Sequence, residues 1–233
     1  MIRDDRAAPH VAIVDYGLGN LFSVAQACRA VGLAATITHD RSTIERAEAV
    51  ILPGVGAFGD AMQTLRRLDL VGVLRDTPAR GTPLIGICLG VQLLMTESHE
   101  FGRHEGLNLI AGEVIPLNNP HEGERRLKVP QVGWNRIHAC RGATAGWSGT
   151  PLEGLHDGEF MYFVHSFVVV PEERSVVLST SMYGDVEFCS SVTAGPIFAC
   201  QFHPERSGRR GLLVYDNLRA MIDAGAAERR TSA

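Results

Sequence analysis

The sequence predicts one α/β domain, in which a mixed central sheet carries helices on both faces and the second half is β-rich. Short, fully apolar runs alternate with helical segments over roughly the first ninety residues, which is typical of a parallel sheet covered on both faces. After about residue 105, strand-like runs follow one another, separated by Gly, Pro and polar clusters. The composition is that of a globular chain, with 45% hydrophobic and 21% charged residues among 233.

The elements follow in order along the chain. In the first half, the pattern predicts strands at residues 11–15, 34–38, 49–52 and 84–87, and helices at 21–31, 57–68, 70–80 and 91–97. Asn20 is placed to cap the first helix. The second half predicts strands at 109–115, 129–137, 161–170, 176–180, 186–193 and 197–201, then a helix at 208–224. We expect a loose extension at 1–9, one domain at 10–224, a tail at 225–233 and a surface loop at 141–150.

Charge and cysteine usage narrow the class of protein. The net charge of -4 argues against a dominant role on nucleic acids or anionic membranes. No run reaches the ~18 apolar residues of a membrane span, and the start lacks an apolar signal core. The 5 cysteines are irregularly spaced and form no zinc pattern, so we expect no metal site and a reducing cytoplasm. We also expect no cofactor.

The segment GICLGVQ at residues 86–92 is the most informative. An apolar strand runs into a G-x-C-x-G turn followed by a helix, which is a nucleophile elbow with Cys88 in the place of serine. A helix start favours the reactive thiolate, and the Leu89 N–H points to where a substrate oxyanion would form. The alternative is a buried cysteine in a tight turn.

A cysteine nucleophile needs a base and a group that orients the base. In QFHPE at residues 201–205, His203 and Glu205 lie two apart in extended chain, so their side chains project to the same side. Glu205 would fix one tautomer of His203 while the other ring nitrogen faces Cys88. His165 is the strongest rival base; its apolar strand suggests either a core histidine or a residue that lines the substrate site.

A second glycine-rich turn, PGVGAFG at residues 53–59, follows the strand at 49–52. Its glycines allow close approach of backbone amides, so the Val55 N–H is a candidate second oxyanion donor beside that of Leu89. A phosphate-binding loop is the competing interpretation, and it is weak because no GK[ST] follows.

Together, Cys88 in its turn, the PGVGAFGDAM stretch and the His203–Glu205 pair resemble class I glutamine amidotransferases. The segments DYGLGNL at 15–21, KVPQVGWN at 128–135 and YFVHS at 162–166 further resemble the glutaminase subunits of imidazole glycerol phosphate synthases. The resemblance covers roughly residues 10–222. It implies a flavodoxin-like class I amidotransferase fold.

The resemblance also implies a reaction. Cys88 would attack the side-chain amide carbon of glutamine, His203 would protonate the departing ammonia, and Glu205 would orient His203. Water would then hydrolyse the thioester to glutamate, with the backbone amides of Val55 and Leu89 holding both oxyanions. The positions that match the family's glutamine-binding residues are Gly56, Gln92, Glu100 and Ser166.

A partner is implied as well. The ammonia would pass to a (β/α)8-barrel cyclase, in a heterodimer that makes imidazole glycerol phosphate and aminoimidazole carboxamide ribotide for histidine biosynthesis. The residues that match segments near the family's docking face are Asn20, Trp134 and Tyr162. Three departures from the family pattern are Gln131 in place of a frequent histidine, Phe167 in place of a frequent tyrosine, and Arg206 in place of lysine.

Two other function classes stay open at this point. One is a different enzyme of the same superfamily, such as another amidotransferase or a glutamyl hydrolase. A pull-down with such an enzyme would recover no barrel cyclase. The other is a non-catalytic partner-binding or thiol-sensing module, which requires a vestigial triad, whereas Cys88, His203 and Glu205 are all present.

Overall fold

The computed structural model describes residues 8–140 and 146–231, with side chains described through residue 225. Its α-helices are α1 (Leu21–Ala30), α2 (Arg41–Arg46), α3 (Phe58–Arg67), α4 (Val71–Ala79), α5 (Leu89–Leu93) and α6 (Gly208–Thr231). Its strands are β1 (His10–Val14), β2 (Ala34–Thr38), β3 (Ala49–Gly54), β4 (Leu84–Cys88), β5 (Met95–Ser98), β6 (His104–Glu105), β7 (Ile110–Pro116), β8 (His121–Glu122), β9 (Arg125–Arg126), β10 (Gln131–Ala139), β11 (Glu159–His165), β12 (Phe167–Pro171), β13 (Val177–Tyr183), β14 (Val186–Ala194) and β15 (Ile197–Cys200).

The central sheet is mixed, as predicted. Five neighbouring strands, in the order β2-β1-β3-β4-β15, are parallel, which is the flavodoxin-like order. The sheet continues from β14 through β12, β7, β5 and β6, where antiparallel pairs predominate. Strands β10, β11 and β13 extend it from β14. The parallel first half and the β-rich second half are therefore confirmed.

Helices cover both faces of the sheet, because alternate residues of each buried strand point to opposite sides. In β1, Val11 and Ile13 belong to one apolar cluster, which also holds buried residues of α1 and α6. Ala12 and Val14 belong to a second cluster, with buried residues of α2, α3 and α4. Alternation on a strand buried on both sides thus gives the domain two cores.

Two predicted elements are wrong. The predicted helix at 91–97 is only the short helix α5, and the chain then enters strand β5, which pairs in parallel with β7. An apolar run fits a helix and a buried strand equally well, and this pairing decides between them. The predicted single strand at 161–170 is split at Ser166 into β11, which pairs with β10, and β12, which pairs with β7 and β14.

Other differences lie outside the sheet. The last helix runs to Thr231 instead of residue 224, because the segment after Ala224 is rich in the good helix formers Ala, Glu and Arg. Helix α2, which the sequence pattern did not predict, is capped by the Asp40 carboxylate. The predicted surface loop at 141–150 contains a core residue, since Trp147 is 7% exposed and donates its indole N–H to the Leu178 carbonyl.

Some expectations fall on residues that the structure does not describe: 141–145 of that loop, 1–7 of the N-terminal extension and the last two residues. Among the described residues, no helix is both long enough and apolar enough to cross a membrane.

Candidate active site

Cys88 is the last residue of β4, and α5 begins at the next residue. Its φ of 55° and ψ of -110° lie in a region that non-glycine residues rarely adopt, as a nucleophile elbow requires. The flanking glycines are needed for packing: a Cβ on Gly90 would strike the Leu52 carbonyl, and one on Gly86 would press against Ala199. The strained turn therefore depends on small residues at both sides.

The sheet topology brings the distant histidine to this cysteine. Strand β15 lies beside β4, with Cys200 paired to Ile87, so the segment after β15 emerges next to Cys88. There, His203 Nδ1 lies 2.7 Å from Glu205 Oε1, and the two side chains are 5% and 1% exposed. Among the described residues, Nε2 of His203 has no hydrogen-bond partner. The ring is thus oriented by the carboxylate and keeps its second nitrogen available.

Main-chain contacts hold this segment in place. The His203 N–H donates to the Tyr162 carbonyl at 2.8 Å. The Ser207 hydroxyl donates to the His203 carbonyl at 2.7 Å and accepts from the Tyr162 N–H at 3.0 Å. The histidine is therefore fixed to β11 from both sides.

The charge state of His203 follows from these contacts. Burial lowers the pKa of His203, but the interactions with Cys88 and Glu205 outweigh burial and raise the pKa to about 10. The imidazole is therefore protonated at neutral pH and can give a proton from Nε2.

The second glycine-rich turn lies directly beside the cysteine. Gly54, the last residue of β3, is paired in register with Cys88. The Tyr16 hydroxyl donates to the Pro53 carbonyl at 2.6 Å and so holds the end of this strand. Gly56 has a φ of 114°, which favours glycine. The two turns, with Val55 in one and Leu89 in the other, form one wall of a cavity.

That cavity has a volume of about 310 Å³, within the range of roughly 300–1,000 Å³ that small-molecule sites occupy. All four residues predicted to bind substrate line it together with Cys88: Gly56, Gln92, Glu100 and Ser166. Its other lining residues are Val55, Leu89, Phe101, Pro130, Val164, His165 and Phe167. The structure therefore brings these separate segments to one site.

Glu100 has a second contact that the sequence did not reveal. Its side chain is buried, and Oε2 accepts from the Phe58 N–H at 2.5 Å. Helix α3 begins at Phe58 after Ala57, which has no side chain able to cap it. Glu100, which lines the cavity, therefore caps α3 and holds the start of the helix that follows the glycine-rich turn.

His165, the rival base, is a hydrogen-bonded core histidine that also lines the cavity. Its Nδ1 lies 2.9 Å from the Phe167 carbonyl and its Nε2 lies 3.1 Å from the side-chain carboxamide of Gln131. Burial lowers the pKa of His165 to about 4, although the Phe167 carbonyl partly offsets the effect. The Phe167 carbonyl can only accept, so the neutral ring carries its proton on Nδ1, and the carboxamide of Gln131 faces the bare Nε2 with its N–H group. Because both ring nitrogens are engaged, His165 is not positioned as the base for Cys88.

Two of the three interface candidates belong to a row of ring contacts that runs from the surface to His203. Trp134 is 56% exposed and meets Tyr162 edge-on, with ring centroids 6.1 Å apart. Tyr162 lies 6.5 Å from the His203 ring, and the Arg206 guanidinium lies 4.4 Å above the Tyr162 ring. The third candidate, Asn20, is exposed and accepts from the Ser23 N–H at the start of α1.

One residue of the site was not predicted from the sequence. Gln201 is fully buried, and its Nε2 lies 3.6 Å from the Cys88 sulfur. A signal for it exists in the sequence: Gln201 immediately precedes the FHPE segment, at the end of a strand that leads into the site.

Comparisons with known proteins agree with this fold and site. The family "Glutamine amidotransferase class-I" matches residues 12–217. Two solved structures share the fold. PurLQS from Thermotoga maritima has 18% identity and a TM-score of 0.69, and the match covers 92% of this chain and 99% of that one. The glutaminase domain of Trypanosoma brucei CTPS has 14% identity and a TM-score of 0.62, and the match covers 95% of this chain and 94% of that one. The chain belongs to the class I glutamine amidotransferases.

Curated relatives define the branch of that family. The imidazole glycerol phosphate synthase subunit HisH of Aquifex aeolicus is 44% identical over 210 residues, which is 89% of this chain and 94% of that protein. The HisH subunit of Moorella thermoacetica is 44% identical over 212 residues, covering 91% and 95%. That of Syntrophotalea carbinolica is 45% identical over 209 residues, covering 89% and 98%. Within the class, the chain belongs to the HisH family.

Proposed function

We propose that this chain hydrolyses glutamine to glutamate and ammonia through a thioester on Cys88, as the glutaminase subunit of an imidazole glycerol phosphate synthase. One observation carries the proposal: Cys88 sits in a strained turn, beside the His203–Glu205 pair, and lines a cavity shared with the residues matched to glutamine binding. The HisH relatives supply the particular pathway, histidine biosynthesis, and the cytoplasm is the proposed compartment.

In the first half of the reaction, the Cys88 thiolate attacks the carboxamide carbon of glutamine, and the carbonyl electrons move onto oxygen. The N–H groups of Val55 and Leu89 stabilise that oxyanion. When the intermediate collapses, the carbon–nitrogen bond breaks and His203 Nε2 gives its proton to the leaving nitrogen. Ammonia departs and a glutamyl thioester remains. The raised pKa of His203 supports this role, because the proton is in place when the amine leaves.

In the second half, water attacks the thioester carbon while the now neutral His203 removes one of its protons. The second tetrahedral intermediate collapses, the carbon–sulfur bond breaks and the Cys88 thiolate re-forms. The product carboxyl group loses its remaining proton to solvent, and glutamate leaves. His203 ends the cycle protonated, as it began. Glu205 keeps the same ring nitrogen engaged throughout, so that Nε2 serves both transfers.

Recognition of glutamine falls to the cavity walls. Glu100 carries a carboxylate suited to the ammonium group of an amino acid, whereas His165 is neutral and brings no competing charge. Gly56, Gln92 and Ser166 offer backbone and polar groups along the same cavity. Phe167 stands where a tyrosine hydroxyl is frequent, so binding in this chain proceeds without that hydroxyl.

The ammonia would serve a (β/α)8 cyclase partner rather than leave for solvent. The HisH relatives are named as subunits of a synthase, which supports a partner of this kind. Trp134 offers an exposed aromatic ring connected through Tyr162 to His203, a suitable anchor for such a partner. Asn20, exposed at the start of α1, is a further candidate contact residue.

Trapping of the covalent intermediate tests the catalytic part of the proposal. The complex is mixed with glutamine, quenched in acid, digested and analysed by mass spectrometry. We expect a glutamyl adduct on the peptide that carries Cys88, in the wild type and in the control Cys140→Ala, but not in Cys88→Ala. A wild-type enzyme that hydrolyses glutamine with no adduct on Cys88, or with an adduct on another residue, would refute this function.

A further inference from the structure

We propose that Gln201 is a further catalytic residue, whose side-chain N–H stabilises the Cys88 sulfur as a thiolate and links it to Gln92 in the substrate cavity. This inference rests on the proposed glutaminase function. It assigns the thiolate a hydrogen-bond donor distinct from His203.

The position of Gln201 is fixed by the sheet. It follows β15, is fully buried, and its backbone N–H donates to the Ser190 carbonyl at 2.9 Å. Its side chain runs between two partners: Nε2 lies 3.6 Å from Cys88 Sγ, and Oε1 accepts from Gln92 Nε2 at 3.1 Å. A long, flexible side chain is thus held at both ends of its carboxamide.

The hydrogen-bond network determines which way this carboxamide faces. Gln92 also contacts the Phe167 carbonyl, at 3.4 Å, and a carbonyl oxygen can only accept. The contacting atom of Gln92 must therefore be its nitrogen. The atom of Gln201 that faces the same nitrogen must then be its oxygen, which leaves the Gln201 nitrogen towards the sulfur. The orientation follows from the acceptor at the far end of the chain.

A donor at this position favours the reactive form of the cysteine. The Val164 carbonyl lies 3.7 Å from the sulfur and accepts from the neutral thiol, so it disfavours the thiolate. The Gln201 N–H acts in the opposite sense, because hydrogen bonds to an ionised acceptor are stronger than those to a neutral one. Of the titratable groups near Cys88, Tyr16 and Cys200 are neutral, because burial above all raises their pKa values, and His203 is protonated.

The same network connects the sulfur to the cavity. Gln92 lines the cavity and donates to Gln201, which donates to Cys88. Removal of the donor at Gln201 should therefore lower the fraction of Cys88 that is present as thiolate and slow the chemical step. Substrate binding at Gln92 should be affected less. The expected pattern is a fall in kcat with a small change in KM.

The test compares Gln201→Met, which keeps the length of the side chain and removes the donor, with Gln63→Met on the exposed side of α3 as the matched control. The rate of Cys88 alkylation by iodoacetamide is followed by mass spectrometry over a pH series, on the chain in complex with the cyclase. We expect Gln201→Met to move the midpoint of the profile to higher pH and to lower the neutral-pH rate roughly ten- to hundredfold, with a similar fall in kcat. Gln63→Met should match the wild type.

A second variant guards against a folding defect. Gln201→Glu has the same shape, but it lacks the amide donor and brings a carboxylate towards the sulfur, so its profile should move in the same direction. Co-elution of each variant with the cyclase in size-exclusion chromatography shows that the complex is assembled. If both variants keep the wild-type alkylation profile, Gln201 has only a packing role and the inference is wrong. If the wild type does not hydrolyse glutamine, the proposed function fails instead, while the alkylation comparison still decides the role of Gln201.

Discussion

Gly54, at the end of β3, is the register partner of Cys88, at the end of β4. This pairing sets the two glycine-rich turns side by side, so that Val55 and Leu89, which follow the two strands, line one cavity. In parallel sheets, sites form where strands end. The pairing therefore explains why segments more than thirty residues apart in sequence meet at the nucleophile.

The first prediction concerns the packing of this turn. Gly90→Ala would drive a Cβ into the Leu52 carbonyl, so β3 and the elbow must separate. We expect a loss of about 1–3 kcal/mol in the free energy of unfolding, measured by urea denaturation, with a loss of glutaminase activity. The control is Gly72→Ala in α4, where nothing lies within 4 Å of the new Cβ and alanine favours the helix by about 1 kcal/mol. Equal effects of the two substitutions would contradict the packing argument.

The second prediction concerns pH. The pKa of His203 rises from an ordinary value of 6.5 to about 10 in the folded protein. The stability that its protonated form contributes is therefore fully present below about pH 6.5 and is lost as the pH rises through about 10. The difference in unfolding free energy between wild type and His203→Gln should shrink from about pH 6 to 10. A difference that is constant or grows over this range would be inconsistent with a raised pKa.

The third prediction separates two roles of Glu100. Glu100→Gln keeps an oxygen that accepts from the Phe58 N–H but removes the charge facing the cavity. Glu100→Ala removes both. We expect KM for glutamine to rise in both variants, whereas only Glu100→Ala should lose stability, by about 1 kcal/mol, because α3 loses its cap. Steady-state kinetics and thermal unfolding check this. An unchanged KM in Glu100→Gln would argue against a contact with the substrate ammonium.

The fourth prediction concerns the partner surface. Trp134→Ala removes an exposed aromatic side chain of the kind that anchors interfaces, and we expect it to weaken cyclase binding by at least about 2 kcal/mol in calorimetry. Ile37→Ala, at a 40% exposed position on the edge strand β2, is the control and should bind like the wild type. Equal affinity of the two variants would place the interface elsewhere.

The sequence predicted the parts of the structure that depend on local pattern. The apolar strands of the first half and the Asn20 cap of α1 follow from periodicity and capping chemistry. The elbow at Cys88 and the pair His203–Glu205 were recognisable because their chemistry demands particular residue types at short spacing. The meeting of the two groups was expected from the needs of a cysteine nucleophile, and the pairing of β15 with β4 brings it about.

What the sequence missed depends on contacts between distant segments. Residues after Leu94 form a strand because β7 lies alongside, and Trp147 is buried because a carbonyl of β13 accepts its N–H. The cap by Glu100 and the bond from Gln201 to Cys88 join residues 42 and 113 positions apart. No local pattern carries such pairings, because each residue type has many roles elsewhere.

The central claim is that Cys88 releases ammonia from glutamine for a cyclase partner. Its most direct test is the rate of imidazole glycerol phosphate synthesis by the complex, measured with glutamine and separately with ammonium salt, for the wild type and Cys88→Ala. We predict that Cys88→Ala loses glutamine-dependent synthesis and retains ammonia-dependent synthesis at the wild-type rate. Equal loss of both rates, or retention of the glutamine-dependent rate, would contradict the claim.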